Sequence, residues 1–408
     1  MRYHTTIARL TYTTAGESHG PELTAIVVGM PSGLMVSHDA LQAQLARRQR
    51  GYGRSPRQQL ERDEAVVTAG VRHGITLGSP IAVRISNRDH ANWSAAMSVW
   101  PTSHEQGSWR DRPTALVRPG HADLGGMARG AFAELRPVLE RASARETAAR
   151  VALGTIAQQL LEYLGVFVRA HVVQVGSIHA GSIDNPAAVD WSMRDSHSMG
   201  CLDAQADASM VAAVDAARTD RDTLGGVIEV VAWGLPPGLG GYETSAERLD
   251  GRLAGAAMSV QAMKAVEIGR GMQSAGIPGS ALHDAIHPTG HGIADQGMGV
   301  GRPTNNAGGI EGGMTNGAPI VMRVAMKPLP TLMQPLESVD LASGESARAH
   351  AERSDTCAVP AAAVVLEAVV AFELACVVRE HFGMPALVDL DQAWNAYCER
   401  VSFPRSGG

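Results

Sequence analysis

A mixed helix–strand fold, α+β or α/β, with approximate internal symmetry is what this 408-residue sequence predicts. Three observations carry the prediction. Residues 23–34 (LTAIVVGMPSGL) and 227–239 (VIEVVAWGLPPGL) share one grammar, a short apolar strand ending in a glycine–proline turn. Each is followed by a helical pattern, 40–48 after the first and 246–265 after the second, so strand–turn–helix occurs twice. The apolar stretch 358–376 is too long for a strand, and Glu367 and Glu373 within it point to a buried helix rather than a membrane span.

The remaining elements follow in chain order. A Thr-rich strand precedes Gly16, and residues 87–113, rich in Trp, Ser, His and Asp, form a long polar loop that Trp93, Trp100 and Trp109 are expected to pin down. Loops of that length inside compact domains are usually functional or mobile. Ser143-Ala-Arg-Glu146 has the S-x-x-E form of a capping box, with Ser143 as cap and Glu146 reaching back. The helix it opens carries a mostly apolar stripe at Ala148, Val151, Ala152, Thr155, Ile156, Gln159, Leu160 and Tyr163, and Gly165 ends it. A second loose stretch, 290–317, holds ten glycines, and an apolar strand follows at 319–326.

Composition excludes several classes of protein. Forty-five glycines stand against roughly 29 at average usage. They cluster between apolar runs without a period, so the chain is neither collagen-like nor low-complexity. A net charge of −6 and a pI near 6.2 argue against nucleic-acid binding over the whole surface. An anionic ligand must therefore meet a local basic pocket. The start, MRYHTTIARLTYTT, lacks the apolar core of a signal peptide, and no uncharged apolar run reaches membrane-spanning length. Cys201, Cys357, Cys376 and Cys398 show no C-x-x-C spacing, so neither a zinc knuckle nor a disulfide framework is expected. A cytoplasmic, core-rich protein fits these facts.

Of the 35 basic residues only Lys264 and Lys327 are lysine. A GC-rich genome that writes arginine for most positive charges accounts for the excess. Under that bias a surviving lysine marks a place where a compact ammonium is not exchangeable for a planar guanidinium, or survives by chance.

Several motifs can carry chemistry. Gly16-Glu17-Ser18-His19-Gly20 holds an imidazole in a turn, which suits acid–base work or is simply a turn. Its order does not fit a G-x-S-x-G nucleophile elbow. Arg118-Pro119-Gly120-His121-Ala122-Asp123 places a second histidine after a rigid turn, with Asp123 either orienting it or capping the next helix. Arg47, Arg48, Arg50 and Arg54 end a helix and enter a glycine-punctuated loop, as a solvated helix end or as a clamp for phosphate and carboxylate. Arg141-Ala142-Ser143 offers a guanidinium, a hydroxyl and backbone N–H groups at a helix start, a place ready for an anion. Residues 305–317 (NNAGGIEGGMTNG) let backbone approach a ligand closely, yet form neither a Walker loop nor G-x-G-x-x-G. Lys327 stands at the mouth of a strand, and Arg353-Ser354-Asp355-Thr356-Cys357 opens an apolar helix with acid and base together. His283, His287 and His291 recur every four residues, but Pro288 interrupts any helix and no carboxylates support a metal face, so no metal is expected.

Together GESHG, RPGHAD, RASARET, GGxxGG followed by NG, VAMKP and RSDxCAVP resemble the chorismate synthase family in order and approximate spacing, from Thr13 to about Gly383. The resemblance implies an α+β sandwich of antiparallel sheets and helices with internal pseudo-symmetry, one domain over 1–408, assembled as a homotetramer. It implies a 1,4-anti elimination of phosphate from 5-enolpyruvylshikimate 3-phosphate to give chorismate, dependent on reduced FMN (FMNH2) although no net redox change occurs. On this likeness His19 is the proton donor near the leaving phosphate, His121 protonates the reduced flavin, and Asp355 acts at flavin N5. Arg48, Arg54 and Arg145 fall on the substrate side. Arg141, Ala142, Ser143, Gln261, Ala262, Gly312, Lys327, Pro328, Leu329, Pro330, Thr331 and Arg353 match the FMN contacts. Both lysines fall inside family motifs. Some relatives reduce FMN with NADPH themselves, but this chain has no dinucleotide fingerprint, so an external flavin reductant is the expected partner. Neither nucleic acid nor membrane is expected as a partner.

The sequence departs from the family pattern at three places. Gly130 stands where a tyrosine is common, Arg270 replaces an acid, and Ala285 replaces a glutamate. A divergent paralogue acting on a related enolpyruvyl phosphate, or a flavin-binding protein that has lost the chemistry, are the alternatives these changes raise.

Overall fold

The computed structural model describes residues 9–55, 62–101, 114–288, 300–349 and 355–402. Strands β1 (Thr11–Ala15), β2 (Glu22–Val28), β3 (Ala65–Ala69) and β4 (Ile81–Ser86) form one antiparallel sheet in the order β1-β2-β4-β3. Alternation fixes which face points inward: Leu23, Ala25 and Val27 of β2 and Ile81, Val83 and Ile85 of β4 are all buried. Strands β5 (Phe167–Val175), β6 (Gly226–Trp233), β7 (Met263–Ile268) and β8 (Ile320–Met326) form the second antiparallel sheet, in the order β5-β6-β8-β7. A short strand, Ile178–His179, extends it beyond β5.

The strand order is the same in both sheets, and this enlarges the short sequence echo into a full repeat. In each half a helix joins the second and third strands: α1 (His38–Gln49) in the first half, and the helix Leu249–Met258 in the second. In each half a long helix follows the fourth strand: Thr147–Tyr163 and then Val359–Phe382. Numbered in chain order and leaving out two helices of five residues or fewer, the others are α2 (Asp123–Gly130), α3 (Arg136–Ala142), α5 (Ala204–Thr219) and α8 (Leu387–Val401). Thr147–Tyr163 is then α4, Leu249–Met258 α6 and Val359–Phe382 α7. Helix α4 packs on the first sheet and α7 on the second, with α4 and α7 against each other, so the layers run sheet–helices–sheet. One buried cluster runs through both halves, from Leu10 to Trp394.

The two long helices cross at Gly154. A Cβ there would stand 2.5 Å from both the Cβ and the carbonyl oxygen of Ala368, so the absent side chain is what lets the helices approach. Gly154→Ala is expected to cost about 1–3 kcal/mol through overpacking, read as a lower urea midpoint. An unchanged midpoint would show that the crossing has slack.

Helix α7 is long and apolar enough to cross a bilayer, yet 89% of its most apolar window is buried inside the fold. Its two buried ions are compensated by protein groups. Glu367 takes two guanidinium bonds from Arg47 at 2.8 Å each, one from Arg194 at 2.8 Å, and the Ala170 N–H at 2.8 Å. Arg379 gives Nε to the Gly29 carbonyl at 3.0 Å and Nη1 to the Met384 carbonyl. Gly383, in left-handed backbone at φ 64°, ends the helix.

Four expectations need correction. The helical pattern at 246–265 ends at Met258, because Ala262 turns into left-handed backbone at φ 69° and Met263 enters the edge strand β7. Ser143 does cap, accepting from Arg145 N, but it opens a short 3-10 turn at Ala144–Glu146 before α4 begins. Glu146 does not reach back to it; its carboxylate accepts from Thr14, Arg150 and Gln261. Trp93 pins the polar loop, being 6% exposed, whereas Trp100 is 78% exposed; Trp109 lies outside the described residues.

Candidate active site

His19 sits in the β1–β2 turn, where the chain folds over Gly16 at φ 111°; a Cβ there would meet the Glu22 carbonyl at 2.5 Å. Asn87 holds the turn from below, donating Nδ2 to the carbonyls of Ser18 and Gly20 at 2.9 and 3.0 Å. The imidazole lies on the Trp93 ring with centroids 3.9 Å apart. Its Nδ1 stands 3.0 and 3.1 Å from the two carboxylate oxygens of Glu140 on α3, and the His19 N–H donates to the same carboxylate at 2.8 Å. Burial alone would raise Glu140; the bonds and charge of His19, with Arg136 beside them, outweigh it and hold the carboxyl below its usual range.

Next to this imidazole lies a run of guanidinium groups. Ser143 Oγ donates to Ser18 Oγ at 3.1 Å, which joins the start of α4 to the His19 turn. Arg145 pairs with Asp63, and Arg48 reaches the other Asp63 oxygen at 3.3 Å while donating to Thr147 and to the Ala144 carbonyl. Arg48 is 7% exposed, so the solvated-helix-end reading fails for it. Arg54 donates to the Arg48 carbonyl at 2.7 Å and pairs with Asp355 at 3.5 Å, and Asp355 also accepts the Ser55 N–H at 2.7 Å. A continuous polar path therefore runs from His19 to Asp355. Burial pushes the neighbouring Cys357 thiol up to about 11, which leaves it no nucleophile at neutral pH.

His121 belongs to a second cluster. Asp123, fully buried, takes its Nδ1 at 2.6 Å and also accepts Arg118 Nε at 2.9 Å, Arg118 Nη2 at 3.0 Å and the Arg118 N–H at 2.9 Å. Asp123 thus orients the imidazole as well as lying in the first turn of α2. Burial would raise its carboxyl, but the bonds from His121 and Arg118 drive it far below the usual range. Among the described residues no hydrogen bond or ion pair joins this cluster directly to His19 or Asp355. The clusters meet through small apolar contacts, Val117 and Ala142 packing with Leu135, just before α3, and Val138 on it.

The residues matched to a cofactor form a chain between the two clusters. Arg141 Nη2 donates to Thr14 Oγ1 at 2.9 Å, Thr14 to Glu146 at 2.8 Å, and Gln261 Nε2 approaches Glu146 at 3.5 Å. The Lys327 N–H donates to the Ala262 carbonyl at 3.0 Å, and its ammonium donates to the Gly120 carbonyl beside His121. Pro330 packs against Gly120 as well. Among the described residues Gln261 Oε1 is buried with no hydrogen-bond partner, and Ala262 holds a strained left-handed backbone. An unpaired acceptor there fits a ligand that brings an N–H or O–H donor.

Gly312 stands apart. It lies in the two-residue turn between Ile310–Glu311 and Met314–Thr315, whose Gly313 carbonyl accepts the Leu249 N–H at the start of α6, roughly 15 Å of helix from Gln261. Lys264 is exposed on β7, so only Lys327 makes a specific ammonium contact. Arg353 and His291 lie outside the described residues. Two small cavities, one of about 90 Å³ beside Tyr12 and Arg150 and one of about 50 Å³ beside Arg50 and Arg194, include none of His19, His121 or Asp355.

Two imidazoles, each braced by a buried carboxylate, next to paired arginines can donate and accept protons on a small polyanion, and that is the class of enzyme the site defines. The comparisons with known proteins narrow it. The chorismate synthase family profile matches residues 10–378. Sequence identity is 50% over 400 residues with chorismate synthase of Desulforudis audaxviator, covering 98% of this chain and 100% of the relative. It is 48% over 383 residues with that of Salinispora tropica, covering 93% and 96%. A crystal structure of chorismate synthase superposes with a TM-score of 0.76 at 35% identity, covering 97% of this chain and 98% of the other. The chain belongs to the chorismate synthase family and is an enzyme, a lyase that acts on a small molecule.

The three departures fall outside the polar path. The Phe132 ring fills the space a side chain at Gly130 would take, 2.1 Å from the position of its Cβ, so an aromatic ring still stands there. Arg270 Nε donates to Asn306 at 2.9 Å and Ala285 is exposed, both on the segment after β7.

Proposed function

We propose that the chain catalyses the 1,4-anti elimination of phosphate from 5-enolpyruvylshikimate 3-phosphate to chorismate, with reduced FMN as an obligatory cofactor. The observation that supports this most is the polar path from His19 through Arg145, Asp63, Arg48 and Arg54 to Asp355. It aligns an acid, a set of anion-binding forks and a carboxylate. The orphaned Gln261 acceptor, the Ser143 hydroxyl and the Lys327 ammonium fit a phosphorylated, N–H-bearing flavin, which Arg141, Ala142, Ser143, Gln261, Ala262 and residues 327–331 would hold. When bound, reduced FMN supplies an electron-rich surface for the electron-deficient carbon and a destination for the substrate proton.

The protein groups have separate tasks in this reading. Arg48, Arg54 and Arg145 hold the carboxylates and phosphate of the substrate. His19 donates a proton to the departing phosphate oxygen as the C–O bond breaks, while Glu140 keeps the ring oriented. His121, fixed by Asp123, maintains the protonation of the cofactor ring, and Asp355 serves the proton transfer at its N5 side. The reductant comes from an external source, and the working assembly is a homotetramer.

An anaerobic assay with dithionite-reduced FMN and 5-enolpyruvylshikimate 3-phosphate tests the reading. The expected result is chorismate and inorganic phosphate in equal amounts, with no product on oxidised FMN. Phosphate release only from a different enolpyruvyl phosphate would assign the chain to a paralogue instead.

A further inference from the structure

We infer that Glu140 is the positioning residue for His19: its carboxylate keeps the proton on Nδ1, so that the ring exchanges protons with its ligand through Nε2. The inference rests on the role proposed for His19 and adds a partner 121 residues away in the chain. One carboxylate grips one residue twice, by the main-chain N–H at 2.8 Å and by the ring at 3.0 and 3.1 Å. Backbone position and ring orientation are therefore set by the same group. Glu140 is 4% exposed, and its third neighbour, Arg136 Nη1 at 3.3 Å, is also a donor. A side chain surrounded only by donors is built to stay an anion.

Three further contacts resist rotation of the unit. The Glu140 carbonyl accepts the Ser18 N–H at 3.0 Å, which docks the last turn of α3 onto the 18–19 turn. Trp93 covers one face of the imidazole, and the Arg136 guanidinium lies 5.3 Å from the Trp93 ring centre. His90 Nδ1 approaches the His19 carbonyl at 3.0 Å, so the main chain is held on that side as well. The ring nitrogen that faces Glu140 decides the tautomer, because a carboxylate accepts and cannot donate.

The test uses the full chain labelled with ¹⁵N-histidine, the His19 signals being assigned by their loss in His19→Asn. In the wild-type protein the neutral His19 ring is expected to carry its proton on Nδ1, the minor tautomer of free histidine. A proton on Nε2 would overturn the inference without any variant having to fold. In Glu140→Gln the side-chain amide can donate to Nδ1, so the His19 proton is expected to move to Nε2. kcat should drop by about 10–100-fold, the range seen when partners that orient a histidine are removed. KM should stay within about twofold, since substrate binding is not touched. Glu140→Asp should keep the Nδ1 tautomer but recover only part of kcat. An unmoved tautomer in Glu140→Gln with reduced kcat would make Glu140 a structural residue only. If the wild-type chain shows the Nδ1 tautomer yet makes no chorismate, the functional reading fails while the pairing stands.

Discussion

Glu367→Gln is expected to destabilise the fold by about 3–5 kcal/mol, the cost of breaking a buried ion cluster by removing one side. Glu367 is 1% exposed on α7, and its loss would leave Arg47 and Arg194 only the more exposed Asp195 to share. Burial alone would raise its carboxyl, but the charges of Arg47 and Arg194 prevail and hold it far below the usual range. A depressed carboxyl stabilises the fold fully above its unfolded value of about 4.3 and loses that contribution as pH falls through the native value. Urea unfolding of the wild type should therefore weaken steeply below about pH 4.5. Glu367→Gln should be weaker at neutral pH and less sensitive on the acid side. Equal midpoints for the two proteins at pH 7 would sink this account.

Asp123→Asn is expected to lower kcat by about 10²–10⁴-fold, the range attributed to a positioned proton-transfer group. The amide would keep the shape but could present its NH₂ to His121 Nδ1, which favours the wrong tautomer. It would also remove the carboxylate to which Arg118 now donates Nε, Nη2 and its main-chain N–H. Steady-state kinetics under anaerobic conditions read the change, and the thermal midpoint separates it from unfolding. A kcat within twofold of the wild type would show that His121 does not depend on its orientation.

Much of the fold was legible from local pattern. The alternation of β2, the apolar runs of β6 and β8, the helix α1 and the long apolar α7 all follow from residue spacing. The two histidines proposed for proton transfer were legible too, because each sits beside a glycine in a turn. The brackets around them were not. Glu140 lies in a helix that looks ordinary, and Asp63 follows an arginine with nothing local to mark it. Each gains meaning from a distant partner, His19 for Glu140, 121 residues away, and Arg145 for Asp63, 82 residues away. The helix at 246–265 was overrun because its apolar period continues past Met258, and the backbone reversal at Ala262 depends on its contact with Lys327.

By itself the sequence determined the chemistry on offer: which side chains could carry protons or bind anions, and which segments could be strand or helix. Those properties depend on near neighbours along the chain. Which carboxylate meets which cation was decided only by tertiary packing, within one half for Glu140 and Asp63 and between the halves for Glu367 and Arg47, because a buried charge must find its opposite wherever folding brings one. Desolvation makes that pairing obligatory, and no spacing rule along the chain encodes it.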